Sequence, residues 1–104
     1  MHQRDVIEDA LADRYRRFVL YHLIEHQSQS LAEVTDYILE IEALGRDGSP
    51  DRRHVRTALA ERHLPRLEAA DLVEYDADGS DVRLAISPAK ARQIHRSAVR
   101  RAQP

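Results

Sequence analysis

The sequence predicts a mainly α fold completed by one small β-hairpin, and three observations carry that expectation. Apolar residues recur at the period of an α-helix over most of residues 4–70. Two Ser-Pro pairs, Ser49-Pro50 and Ser87-Pro88, have the N-cap and first-turn chemistry that opens a helix. Between them, two β-prone runs flank the polar cluster Asp76-Ala77-Asp78-Gly79-Ser80-Asp81, the pattern of a hairpin.

Val6, Ile7, Ala10 and Leu11 fall on one helical face, as do Tyr15, Val19, Leu20 and Leu23, giving helical pieces at 4–12 and 14–26. Asp13 stands between them as a cap. Phe18 and Ile24 lie outside the main stripe of the second piece. A helix apolar on more than one side has a second surface to bury, here the C-terminal helix or another subunit.

The polar break Gln27-Ser28-Gln29-Ser30 precedes a third helix. Ser30 and Glu33 have capping-box spacing, in which each satisfies an amide of the other's backbone. Leu31, Val34, Ile38 and Ile41 then share a face until Gly45, a natural stop. After the loop at 45–50, Ser49-Pro50 opens a fourth helix with Val55, Leu59 and Leu67 inward. Pro65 lacks an amide hydrogen, so a kink or break is expected near His63-Leu64. Leu72-Val73-Glu74-Tyr75 and Val82-Arg83-Leu84-Ala85-Ile86 form the hairpin, and Ser87-Pro88 opens a basic helix over 87–102.

Helices followed by a two-stranded hairpin are the layout of a winged helix-turn-helix, whose third helix can lie in the DNA major groove. A chain of 104 residues suits one such domain, with its core at 6–86 and its wing at 72–86.

Ala10-Leu11-Ala12-Asp13 followed by Arg16-Arg17-Phe18-Val19-Leu20 resembles the first helices of arsenic-repressor-like regulators. The run His63-Leu64-Pro65-Arg66-Leu67, continued by Val73-Glu74-Tyr75-Asp76, is similar to a winged-helix family abundant in haloarchaea and of unknown function. The resemblance spans roughly residues 6–86 and implies a DNA-binding fold. Two departures stand out. Asp71 occupies a position where such domains commonly carry glycine, and the turn between the two central helices is longer than the standard motif.

With Val55 and Leu59 inward, a helical wheel puts Arg53, His54, Thr57 and Glu61 outward, Arg56 at the edge and Arg52 in the first turn. Arginine reads guanine through a bidentate fork. Arg53 and Arg56 are therefore the expected base contacts, assisted by His54 or Thr57. Arg52 and the amides at 51–52 would suit a phosphate. The alternative for the same residues is an ordinary arginine-rich solvated helix.

Charge is uneven along the chain. Residues 1–49 hold five basic and ten acidic groups, against eleven and eight in residues 50–104. Arg96 and Arg100, in the basic tail, and Arg83, in the wing, are further candidates for phosphate. The wing otherwise carries Asp76, Asp78 and Asp81, which repel phosphate, so binding would rest on the helix. The apolar side of the last helix, Ala91, Ile94, Ala98 and Val99, could make a homodimer or pack on its own domain. The N-terminal helices are the other candidate dimer surface.

No cofactor is expected. With no cysteine there is neither a disulfide nor a thiolate site. His22 and His26 have metal-ligand spacing, yet two ligands do not close a site. No nucleophile motif or phosphate-binding glycine loop is present, so no enzyme activity is expected. The longest apolar run, Phe18 to Ile24, is too short for a bilayer, so a cytoplasmic protein is expected. Double-stranded DNA is the expected partner. A winged-helix protein-interaction module is the alternative.

Overall fold

The computed structural model describes residues 3–44 and 51–103. Helix α1 (Gln3–Ala10) is followed by α2 (Arg14–His26), and Asp13 separates them. The Asp13 carboxylate accepts from the amides of Tyr15 and Arg16 at 2.8 and 3.3 Å, satisfying donors that a helix start leaves open. Helix α2 buries Val19, Leu20, Leu23 and Ile24. Ile24 is buried because α2 has the second partner its pattern called for, the C-terminal helix α6 (Pro88–Ala102).

Ser28–Ser30 forms a strand, β1, where sequence reasoning expected only a break. It is the outer strand of a three-stranded antiparallel sheet in the order β1-β3-β2, completed by β2 (Val73–Asp76) and β3 (Asp81–Leu84). Ser28, Gln29 and Ser30 pair with Arg83, Val82 and Asp81. The polar residues of β1 have little strand propensity of their own. Docking beside β3 supplies the order, and Leu31 N–H to Ser80 O (2.7 Å) and Leu84 N–H to Gln27 O (2.8 Å) close the two ends.

Helix α3 (Leu31–Ala43) opens with the expected capping box: Glu33 N–H donates to Ser30 Oγ at 3.1 Å and Ser30 N–H to Glu33 Oε1 at 2.9 Å. It ends at Ala43, and Gly45 lies outside the described residues, as do Ser49 and Pro50. The next helix, α4 (Arg52–Ala58), is capped by Asp51, whose carboxylate accepts from Arg53 N–H at 3.2 Å.

The expected irregularity before Pro65 is a π-helical turn, Leu59–His63, between α4 and α5 (Leu64–Ala69). Leu64 N–H bonds back to Leu59 O, one residue further than in an α-helix. Proline in a helix interior removes a hydrogen bond and its ring presses on the preceding turn's carbonyl. Widening that turn accommodates both defects while the helix continues to Ala69.

Helix α5 ends in a Schellman motif, with Leu72 N–H on Leu67 O (3.0 Å) and Asp71 N–H on Glu68 O (2.9 Å). The motif requires a left-handed residue, and Asp71 supplies it at φ 61°. Ser87 caps α6 through Lys90 N–H at 3.2 Å, as its Ser-Pro pair predicts. Leu20, Leu23, Val34, Ile38, Leu59, Leu64, Leu67, Leu72 and Val82 form the centre of the core. The protein is thus mainly helical with a small sheet, in winged helix-turn-helix order.

Candidate nucleic-acid interface

Val55 of α4 and Leu59 of the π turn are buried in the core and so decide which of their neighbours face solvent. Arg52, Arg53, His54, Arg56, Thr57 and Glu61 are all exposed, as the wheel predicts. Their situations differ. Arg52 is tied to Asp36 of α3, so its charge is already answered within the chain. Among the described residues neither Arg53 nor Arg56 makes an ion pair or a side-chain hydrogen bond. They leave two unspent forks on one short helix.

The start of α4 is unlike the phosphate cradle expected from amides 51–52. The Asp51 carboxylate occupies that end and answers the partial positive charge there itself. Phosphate is repelled by this group. The start of α4 is therefore less open to an anion than its exposed face.

In the wing, Asp76 accepts from Asp78 N–H (3.1 Å) and Gly79 N–H (3.3 Å), so one acidic side chain shapes the turn. A Cβ on Gly79 would sit 3.1 Å from Asp76 Oδ2, so a larger residue there would require that carboxylate to shift slightly. Arg83 faces Glu74 across the hairpin at 3.7 Å and lies in a shallow depression with Glu68, Asp76 and Asp81. As a phosphate contact it is poorly placed, because carboxylates surround it.

Arg96 and Arg100 lie on α6, beside a groove lined by Tyr21 and Ile24 of α2 and by His95 and Val99. Neither forms an ion pair among the described residues. They belong to the α2–α6 surface, whereas α4 packs on α3 and the π turn. Arg53 and Arg56 are thus grouped by the fold, and Arg83, Arg96 and Arg100 are not part of that group. Ala91 and Ala98 of α6 are buried within the chain, while Tyr21, 45 % exposed, is left at the groove.

Sequence reasoning missed two groups. Arg62 follows His54 and Ala58 at steps of four and lies beside them on the flank of the helix; that spacing was the available signal. Arg16 is only 8 % exposed, and nothing local distinguishes it from its exposed neighbour Arg14. Its Nε donates to Ala10 O, and its Nη1 lies 3.2 Å from His63 Nδ1. Burial lowers the His63 pKa first; Asp13 opposes this, and Arg16, Arg62 and Arg66 add to it.

The rings of His22 and His26 lie 4.5 Å apart on one helical face, and His22 also stacks on Tyr37 at 4.2 Å. Burial and then His26 push the His22 pKa down. Among the described residues no group of three His, Asp or Glu side chains is placed to hold a metal ion. Among those residues no helix is long and apolar enough to cross a membrane.

A family model described as a domain of unknown function (DUF7344) matches residues 8–83, the span from the end of α1 to β3. No curated protein and no solved structure matches the chain.

Proposed function

The chain belongs to the DUF7344 family, whose function is unknown, and we propose that it is a transcription regulator reading double-stranded DNA with residues 52–62 of α4 and the π turn. The observation that carries this reading is the pair Arg53 and Arg56, exposed and without ion-pair partners among the described residues, on α4, the helix that precedes the π turn, α5 and the wing. Each bidentate contact to guanine is worth about 1–3 kcal/mol of discrimination. His54 and Thr57 flank the pair and would contribute further contacts.

The acidic wing stays off the backbone in this mode. Affinity then rests on direct readout, with a small contribution from counterion release. A two-fold dimer through the α2–α6 surface would present two reading helices to a palindromic site. The regulator is not an enzyme and works in the cytoplasm. The haloarchaeal resemblance of the His63–Leu67 run fits a protein that relies little on general charge attraction.

A second reading has its own observation. Asp76, Asp78 and Asp81 at the wing, together with exposed Tyr21, suit a protein-interaction module. Fluorescence anisotropy with a genomic duplex pool across a salt series separates the two. The DNA reading expects saturable binding with a sequence preference that survives high salt, lost on Arg53→Ala/Arg56→Ala with the oligomeric state unchanged. Absence of binding by the folded protein at low salt overturns it in favour of the interaction module.

A further inference from the structure

Beneath the reading helix lies a cavity of about 100 Å³. Tyr15 of α2, Ile38 of α3, Val55, Ala58 and Leu59 supply apolar surface, and His54, Arg62 and His63 supply polar groups. His63 is 1 % exposed, and its Nε2 has no hydrogen-bond partner. A buried polar atom left unpaired costs about 1–3 kcal/mol, so its occurrence beside a cavity points to an absent partner.

The proton on His63 can be assigned from chemistry. The Arg16 guanidinium carries only donors, so Nδ1, 3.2 Å from Arg16 Nη1, must accept. Asp13 Oδ1, at 3.9 Å from the same nitrogen, is too distant to bond it. Nε2 therefore carries the hydrogen of a neutral ring, in keeping with the lowered pKa. The missing partner must be an acceptor.

Local charge narrows the choice. Arg16, Arg62 and Arg66 act on the His63 ring as positive charges, against the one opposing carboxylate of Asp13. Arg62 makes no ion pair among the described residues and lines the cavity. An anion with a short apolar body matches this arrangement: oxygen toward Nε2 and Arg62, carbon toward Ile38, Val55 and Leu59. The cavity volume limits the body to about two to four carbons.

We propose that this cavity is a binding site for a small aliphatic carboxylate, held by the Nε2–H of His63 and the guanidinium of Arg62. The site lies on the π turn, an irregularity that recurs at functional positions in helices. A ligand there braces the inner side of the helix that carries Arg53 and Arg56. That consequence rests on the DNA reading, whereas carboxylate binding does not.

The test is a chemical-shift titration of the ¹⁵N-labelled protein with sodium acetate, propionate and butyrate at constant ionic strength, with propionamide as the neutral counterpart. The expected result is a saturable shift of the His63 ring nitrogens and the Leu59–Leu64 amides, at least tenfold tighter for propionate than for propionamide. Arg62→Gln is expected to weaken it about tenfold, and Ala58→Leu, which adds bulk to the cavity wall and leaves Arg16 and His63 themselves unchanged, to abolish it. No saturable shift up to about 50 mM, where a Kd of about 1 mM would be saturated, overturns the proposal and leaves water as the occupant. Equal shifts with propionamide, or undiminished binding by Ala58→Leu, overturn it as well.

Discussion

The guanidinium of Arg16 reaches His63 Nδ1 at 3.2 Å inside the protein, joining residues 47 positions apart. With its Nε–H on Ala10 O, Arg16 fastens three places at once: the end of α1, the start of α2 and the π turn. Asp13, which caps α2, stands within 3.9 Å of the same histidine and balances the buried charge.

Arg16→Met keeps the apolar stem but removes every donor. It leaves Ala10 O and His63 Nδ1 without that partner and is expected to cost about 3 kcal/mol. Urea unfolding followed by circular dichroism gives the number directly. A change below about 0.5 kcal/mol would show that water replaces the guanidinium freely.

Stability is expected to fall on mild acidification. Burial lowers the pKa of His22, His63 and His95 below 6.5, with further lowering from His26, from Arg16, Arg62 and Arg66, and from Arg17 respectively. Asp13 opposes the shift at His63. The unfolded chain then binds protons that the folded chain does not. Each histidine's contribution is fully present above its unfolded pKa and is lost as pH falls through it toward the folded value. Each proton taken up on unfolding tilts the profile by up to about 1.4 kcal/mol per pH unit. Urea midpoints between pH 7.5 and 5 measure the slope, and His63→Gln is expected to flatten it.

Asp71→Gly is expected to stabilise the protein by about 1 kcal/mol. Its φ of 61° and the Schellman hydrogen bonds require only backbone, and glycine adopts that conformation without strain. Asp71→Val is expected to destabilise it by more. Thermal midpoints of the two variants moving in the same direction would contradict this account.

For DNA, Arg53→Ala and Arg56→Ala are each expected to relax preference at one base position by about 1–3 kcal/mol. Arg83→Ala is expected to change neither affinity nor salt slope, because Glu74 already faces that guanidinium. Competition with single-base variants of a selected duplex distinguishes these effects.

What could be read from sequence alone follows the range of the forces involved. The Ser30–Glu33 box, the Ser87-Pro88 start and the Asp13 cap act over three residues and appear as expected. The Pro65 disturbance was also legible, though not its form, since a π turn depends on how Leu59 and Leu64 are held in the core. Strand β1 was not, because Ser28-Gln29-Ser30 becomes a strand only through pairing with residues 81–83. The exposed face of α4 followed from two inward residues, Val55 and Leu59. The Arg52–Asp36 and Arg83–Glu74 pairs depend on tertiary neighbours, so the sequence offered two arginines as free that the fold pairs, and the burial of Arg16 was illegible for the same reason.

The short strand β1 also determines how the wing can move. Its pairing with β3 and its direct run into Leu31 make the hairpin and the first turn of α3 one mechanical piece. A hairpin held only at its base swings like a flap. This one is riveted along its inner strand, with Leu31 N–H on Ser80 O near the tip. Any load on the wing, from a partner or from a nucleic-acid backbone, is delivered to the floor on which α4 rests. Amide exchange across Ser80–Leu84 and Leu31–Val34 should accordingly rise and fall together.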